Sequence, residues 1–239
     1  AWKTPKPPHI LIRRLALAGS IRMRKIAIIV GHNSKSRGAI RIDTGETEYE
    51  FNGRIAKAVQ DLAEKSGMFE VAIFRRSPGK GYNAQIKEVY AKADLWGATA
   101  TGELHFNSSA TASAAGCETL SSGSAKSLKL AGAVNNAIVK AFGVKDRGIV
   151  TRSKKQRGGA SLHSGRAPAI LFEPFFGSNA SDCAKFSGDE AETKLAHAIL
   201  MGIGEALGVK AAPARTPAPS QPAPKPHKSL LQIIKDKFL

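Results

Sequence analysis

Two apolar runs, IAIIV at 26–30 and AILF at 169–172, constrain the fold most, because neither offers a polar side to water. A strand that is apolar on both faces belongs in the interior of a covered sheet. Between the runs the hydrophobic period changes. Residues 48–66 place Phe51, Ile55, Val59 and Leu62 at spacings of four, four and three, which is one face of a helix, and Gly67 is a natural stop. FEVAIF at 69–74 predicts a second strand, and 82–92 a helix with Ile86, Val89 and Tyr90 turned inward. A glycine-interrupted third strand lies within 93–106, and GCETL at 116–120 is a short fourth. Residues 124–142 predict a helix facing inward through Leu128, Ala131 and Val134. A strand at 147–151, the buried strand APAILFE at 167–173 and a closing helix over 189–208, ending at Gly208, complete the pattern. Strands alternating with helices predict a single α/β domain whose central sheet carries helices on both faces. Because GCETL follows closely on the third strand, the sheet is expected to be mixed, mostly parallel with a local antiparallel pairing.

The 239 residues suffice for one sizeable core with appendages. The domain is expected to span 23–210. Residues 1–22 form a basic extension containing Lys3, Lys6, Arg13, Arg14 and Arg22 and no acid, and the first methionine is Met23. Arg13 and Arg14 interrupt its apolar stretch, so it reads as a poor export signal. Residues 211–228 are rich in Pro and Ala, an extended linker. In 229–239, Leu230, Ile234 and Phe238 align on one helical face, with Leu231 beside them and Lys235 and Lys237 nearby. That pattern predicts a cationic amphipathic helix suited to a membrane surface, to a partner, or to folding back on the domain. No apolar run approaches the roughly 20 residues a membrane span needs. Cys117 and Cys183 are too few for a disulfide framework and are expected as packed free thiols. Lys and Arg number 36 against 19 acids, a net charge of +17. Such an excess favours an anionic partner: nucleic acid, an acidic membrane surface or an anionic envelope polymer. Aromatics are only 6% and no basic stretch interleaves them, which speaks against a base-stacking surface.

Three chemistry-bearing residues close predicted strands. Gly31-His32 ends the first, His105 the third, and Glu173 the strand APAILFE. Ligands of open α/β sheets bind beyond the carboxyl ends of the strands. Two imidazoles delivered there suit Zn²⁺, and a catalytic zinc takes a third protein ligand and leaves one position open. An acid from GETEYEFN, namely Glu46, Glu48 or Glu50, fits that role, although a helix start favours carboxylates for its own reasons. His9 and His227 lie in the tails. His163 and His197 remain candidates, with His197 expected to pack within an apolar helix.

With these motifs in place the chain resembles the zinc-dependent N-acetylmuramoyl-L-alanine amidases of the Amidase_3 family, which includes bacterial wall amidases and phage endolysins. The resemblance runs over about 25–208. It rests on the strand ending in Gly31-His32, the pair Gly38-Ala39, and the helix opening Glu48-x-x-x-Asn52 with Ala56 after it. It rests further on His105 and Asn107, on Gly116-Cys117-Glu118, and on Pro168-Ala169-Ile170-Leu171-Phe172-Glu173 followed by Phe176, Ser178 and Asn179. The chain departs from the family at Ile29-Val30, where Asp-Pro is usual, and at Glu103, where Ser is usual; Glu103 adds an acid beside the metal.

The resemblance implies one Zn²⁺ per chain held by His32, Glu48 and His105, with Glu173 as the catalytic carboxylate. It implies hydrolysis of the amide joining N-acetylmuramic acid to L-alanine in peptidoglycan. Asn107 and Ser178 are expected to support the loops around the site. With no convincing export signal and a cationic tail, the expected setting is a phage endolysin of a Gram-negative host. It would be held in the host cytoplasm until release to the wall, act as a monomer, and touch an anionic outer-membrane surface through 229–239. No specific nucleic acid is expected. The alternatives are a bacterial wall amidase of the same family, a zinc carboxypeptidase or aminopeptidase, and an inactive envelope- or nucleic-acid-binding module.

Overall fold

The computed structural model describes residues 23–79 and 81–209. The predicted basic extension, linker and terminal amphipathic helix lie outside the described residues. The chain runs β1 (Arg24–Val30), α1 (Glu48–Ser66), β2 (Phe69–Arg75), α2 (Tyr82–Trp96), β3 (Ala100–Leu104), β4 (Cys117–Ser121), α3 (Ala125–Phe142), β5 (Asp146–Thr151), α4 (Gly159–Leu162), β6 (Ala169–Glu173), α5 (Ala180–Lys185) and α6 (Asp189–Leu207). The single mixed sheet expected from the alternation is present, with strand order β2-β1-β3-β6-β4-β5. All pairings are parallel except β4 against β6. The antiparallel partner of β4 is therefore β6, not the preceding β3.

The interior position of β1 explains its composition. It pairs with β2 on one side and β3 on the other, and Ile26 to Val30 are all fully buried. Alternation then divides its side chains between two cores. Ile26, Ile28 and Val30 enter the larger one, shared with Phe51, Ile55 and Val59 of α1, Val134 and Ile138 of α3, and Leu195 and Ile199 of α6. Ile29 enters the smaller one, with Ile86, Val89 and Tyr90 of α2. Helices thus cover both faces.

α1 begins where its sequence says it should. Thr47 is the N-cap and Glu50 completes a capping box, each satisfying the other's orphan backbone amide. Gly67 ends the helix in the left-handed conformation. In α3 the inward face is displaced from the expected one: Leu128 is 41% exposed, and Leu130 is buried with Ala131, Val134 and Ile138. The helix packs on α6 as well as on the sheet, and the contact with α6 rotates the apolar face. The short helices α4 and α5 carry too few residues for a readable period.

Gly202 lets α3 and α6 approach closely. A Cβ there would sit 2.6 Å from Val134 Cα and 2.8 Å from the Ala133 carbonyl oxygen. Alanine is the better helix former by about 1 kcal/mol, but overlap with a neighbouring backbone outweighs that gain. Gly202→Ala is expected to destabilise the protein by about 1–3 kcal/mol, read as a lower urea midpoint at unchanged slope.

Candidate metal centre

The sheet order brings the carboxyl ends of β1, β3 and β6 side by side, and the three strand-closing residues with them. β1 is also the switch point: the chain leaves it for β2 on one side and returns to β3 on the other, which opens a crevice at this edge. His32 follows β1 with φ of 66°, the left-handed region that non-glycine residues seldom occupy. Gly31 before it donates its amide to the Leu104 carbonyl at 3.0 Å. A Cβ on Gly31 would meet that oxygen at 2.2 Å and the His105 ring at 2.6 Å, so only glycine lets β1 bring its histidine this close.

Glu48, the first residue of α1, lies between the two imidazoles. Its Oε1 is 2.7 Å from His105 Nδ1 and its Oε2 is 3.1 Å from His32 Nε2. The carboxylate also accepts from the amides of Ala39 at 3.0 Å and Phe106 at 3.2 Å. Gly38 makes room for this arrangement, since a Cβ there would lie 2.6 Å from Glu48 Oε2. Burial works against ionising Glu48, but the hydrogen bonds from His105 and His32 outweigh it and hold the carboxyl well below its usual range. Burial likewise opposes a charge on His105, yet Glu103 and Glu48 raise its pKa to about 10.

The other two glutamates near the helix start point elsewhere. Glu50 closes the capping box and pairs with Arg37 at 2.7 Å, while Glu46 pairs with Arg54. Donor atoms of His32, Glu48 and His105 lie within 4.8 Å of one another. Two imidazole nitrogens and one carboxylate oxygen are the ligand types of a three-protein-ligand zinc site, and His32, its side chain 25% exposed, leaves one flank open to the cleft. The donor set fits zinc.

Glu173 ends β6 and lines the same cleft, which has a volume of about 500 Å³. Burial, with the charges of Glu118 and Glu48, pushes its pKa up to about 7, against the opposing pull of His105. Glu118 enters because β4 runs antiparallel: its register partner on β6 is Glu173 itself. Arg147 and Asn107 hold the Glu118 carboxylate, at 2.8 and 3.1 Å. Ser178 Oγ accepts from the Ser109 amide at 3.0 Å and ties together two loops at the site. Arg76, Tyr82, Gln85, Arg152 and Arg157 also line the cleft.

His163 and His197 are not part of this centre. His163 is exposed, its Nε2 2.9 Å from the Arg152 carbonyl oxygen. His197 is exposed as well, rather than packed, because it projects from the outer side of α6. Both cysteines are buried free thiols. Among the described residues no helix is long and apolar enough to cross a membrane. Sequence reasoning gave no role to Glu118 or Arg76. The signal available for the first was its place in Gly116-Cys117-Glu118, one of the motifs that carry the resemblance.

Comparison with known proteins bears on this geometry directly. Residues 26–205 match the Amidase_3 family, N-acetylmuramoyl-L-alanine amidase. The chain belongs to that family. The catalytic domain of CwlV, an N-acetylmuramoyl-L-alanine amidase from Bacillus (Paenibacillus) polymyxa var. colistinus, is 26% identical, with a TM-score of 0.68 over 79% of this chain and 100% of that one. An N-acetylmuramoyl-L-alanine amidase from Clostridium difficile 630 is 25% identical, with a TM-score of 0.68 over 78% and 97%. The catalytic domain of an endolysin targeting Clostridia difficile is 26% identical, with a TM-score of 0.64 over 76% and 96%. The protein YqiI of Bacillus subtilis (strain 168), of uncharacterised function, is 28% identical over 78% of this chain and 86% of its own length. Family membership places the strand-end cluster in a fold shared with wall amidases.

The raised pKa of Glu173 has a consequence for stability. Its folded value, about 7, lies above the 4.5 of an unperturbed glutamate, so the folded state binds the proton more tightly than the unfolded one. The resulting penalty is absent below pH 4.5, grows as pH rises, and is complete above pH 7. In metal-free protein, Glu173→Gln is therefore expected to be more stable than wild type at pH 8 by about 1–3 kcal/mol. The difference should vanish at pH 4. Urea unfolding with excess chelator at both pH values measures it.

Proposed function

We propose that this protein is a zinc-dependent peptidoglycan hydrolase that cleaves the amide between the lactyl group of N-acetylmuramic acid and the L-alanine of the stem peptide. The observation that carries this reading is the convergence of His32, Glu48 and His105 beside the carboxyl of Glu173 in one cleft. Family membership supplies the reaction class.

His32, Glu48 and His105 would hold the zinc. When bound, zinc supplies Lewis acidity, lowering the pKa of water and polarising the scissile carbonyl. Glu173 takes the proton released as water adds to that carbonyl. It then delivers the proton to the nitrogen of L-alanine as the C–N bond breaks, leaving a muramic carboxylate and a free peptide amine. Burial and the neighbouring carboxylates raise the pKa of Glu173 in the metal-free protein, which favours its taking and returning a proton. Arg147 and Asn107 hold the Glu118 carboxylate in place next to it, and Glu118 contributes to that raised value.

Glu173→Ala is expected to retain one zinc per chain and the fold while losing at least a hundredfold in rate, as for removal of a general acid–base group. Mass spectrometry of digested peptidoglycan reads this as loss of stem peptides with a free N-terminal L-alanine. Chelation should abolish the wild-type products and zinc should restore them. Release of single amino acids from peptide ends would point instead to a peptidase.

For the biological setting we favour a phage endolysin acting on a Gram-negative host as a monomer, held in the cytoplasm until lysis. Its catalytic domain would span 23–210, its linker 211–228 and its cationic amphipathic helix 229–239. The support is the cationic, amphipathic spacing of 229–239 and the likeness to an endolysin catalytic domain. Its net charge of +17 suits anionic envelope polymers. A bacterial wall amidase is the second reading, favoured by the likeness to the amidase of Clostridium difficile. Deleting 212–239 should leave hydrolysis of purified wall unchanged and reduce lysis of intact Gram-negative cells. Equal lysis by both forms would remove the tail's role.

A further inference from the structure

Hydrolysis as described gives no task to Glu103, an acid with no exposed surface at all. It sits on β3, where its register neighbours are the apolar Ile29 on β1 and Leu171 on β6. A buried ionised carboxylate costs several kcal/mol unless its partners compensate. Glu103 has partners on both oxygens. Oε1 is 3.1 Å from His105 Nε2, and Oε2 accepts from the Tyr90 hydroxyl at 3.1 Å. Tyr90 is itself fully buried on α2. One imidazole nitrogen of His105 thus faces Glu48, and the other faces a second, deeper carboxylate.

We infer that Glu103 is a positioning residue for the metal, resting on the reading above that His32, Glu48 and His105 bind zinc. By accepting the proton of His105 Nε2, it would hold the ring, once a metal replaces the proton that Nδ1 shares with Glu48, in the tautomer whose Nδ1 is free to ligate. Its negative charge makes that nitrogen a stronger donor. The Tyr90 hydroxyl restrains the second oxygen of Glu103, so the carboxylate does not turn away.

Zinc affinity in competition with a chromogenic chelator tests this, with the thermal midpoint of the metal-free protein measured alongside. Glu103→Gln keeps the size and an accepting oxygen but removes the charge, and should bind zinc about tenfold more weakly. Glu103→Ala should lose roughly 10–100-fold. In Glu103→Gln the metal-free midpoint should fall, because the charge that pairs with His105 has gone, so zinc affinity is compared with that midpoint and not read alone. Its cobalt(II)-loaded form should show shifted visible bands, which loss of packing alone would not produce. If Glu103→Gln binds zinc as tightly as wild type with unshifted cobalt bands, this inference alone is overturned. A wild type that takes up no zinc overturns the site reading and this inference with it.

Discussion

The structure depends on one buried carboxylate. Glu48 is 4% exposed and ionised, and its two oxygens accept hydrogen bonds from His32, His105 and the amides of Ala39 and Phe106. Those partners come from two separate stretches of chain, the β1–α1 connection and the segment that follows β3. Loss of any one partner would leave charge or polarity unpaired at a depth where that is expensive. The same constraint explains Gly31 and Gly38, since a methyl group at either would collide with this cluster.

Around that cluster the fold separates two tasks. The larger core, built by α1, α3 and α6 on one face of the sheet, supplies most of the apolar burial. The smaller core under α2 is shared with a polar network that includes Tyr90 and Glu103. The larger side also holds buried polar pairs, Thr119 of β4 donating to Asn135 of α3 and Ser121 of β4 meeting Ser127 of α3.

Much of the site was legible because local pattern carried it. An apolar run that ends in Gly-His or in Glu marks a strand end, and strand ends in an α/β fold share one edge. The choice among Glu46, Glu48 and Glu50 was not legible from pattern alone, because each carboxylate has a good reason to stand near a helix start. The capping box resolves it: Glu50 is committed to Thr47, Glu46 turns to Arg54, and Glu48 is left facing inward. Leu128 and His197 were misjudged for a related reason. Periodicity assigns a face to a helix but not the angle at which a neighbouring helix meets it, and the contact of α3 with α6 set that angle for both.

By itself the sequence determined the kinds and order of the elements, the residues that close the strands, and the family to which they point. Hydrophobic period and terminal residues are local properties, and a chain carries them wherever it goes. The tertiary structure alone decided which strands are neighbours. It set β4 antiparallel to β6, so that Glu118 meets Glu173, and it placed Glu103 behind His105 with Tyr90 closing the network. Such partnerships join residues distant along the chain. Only the packing of whole elements, driven by burial of both sheet faces, selects among them.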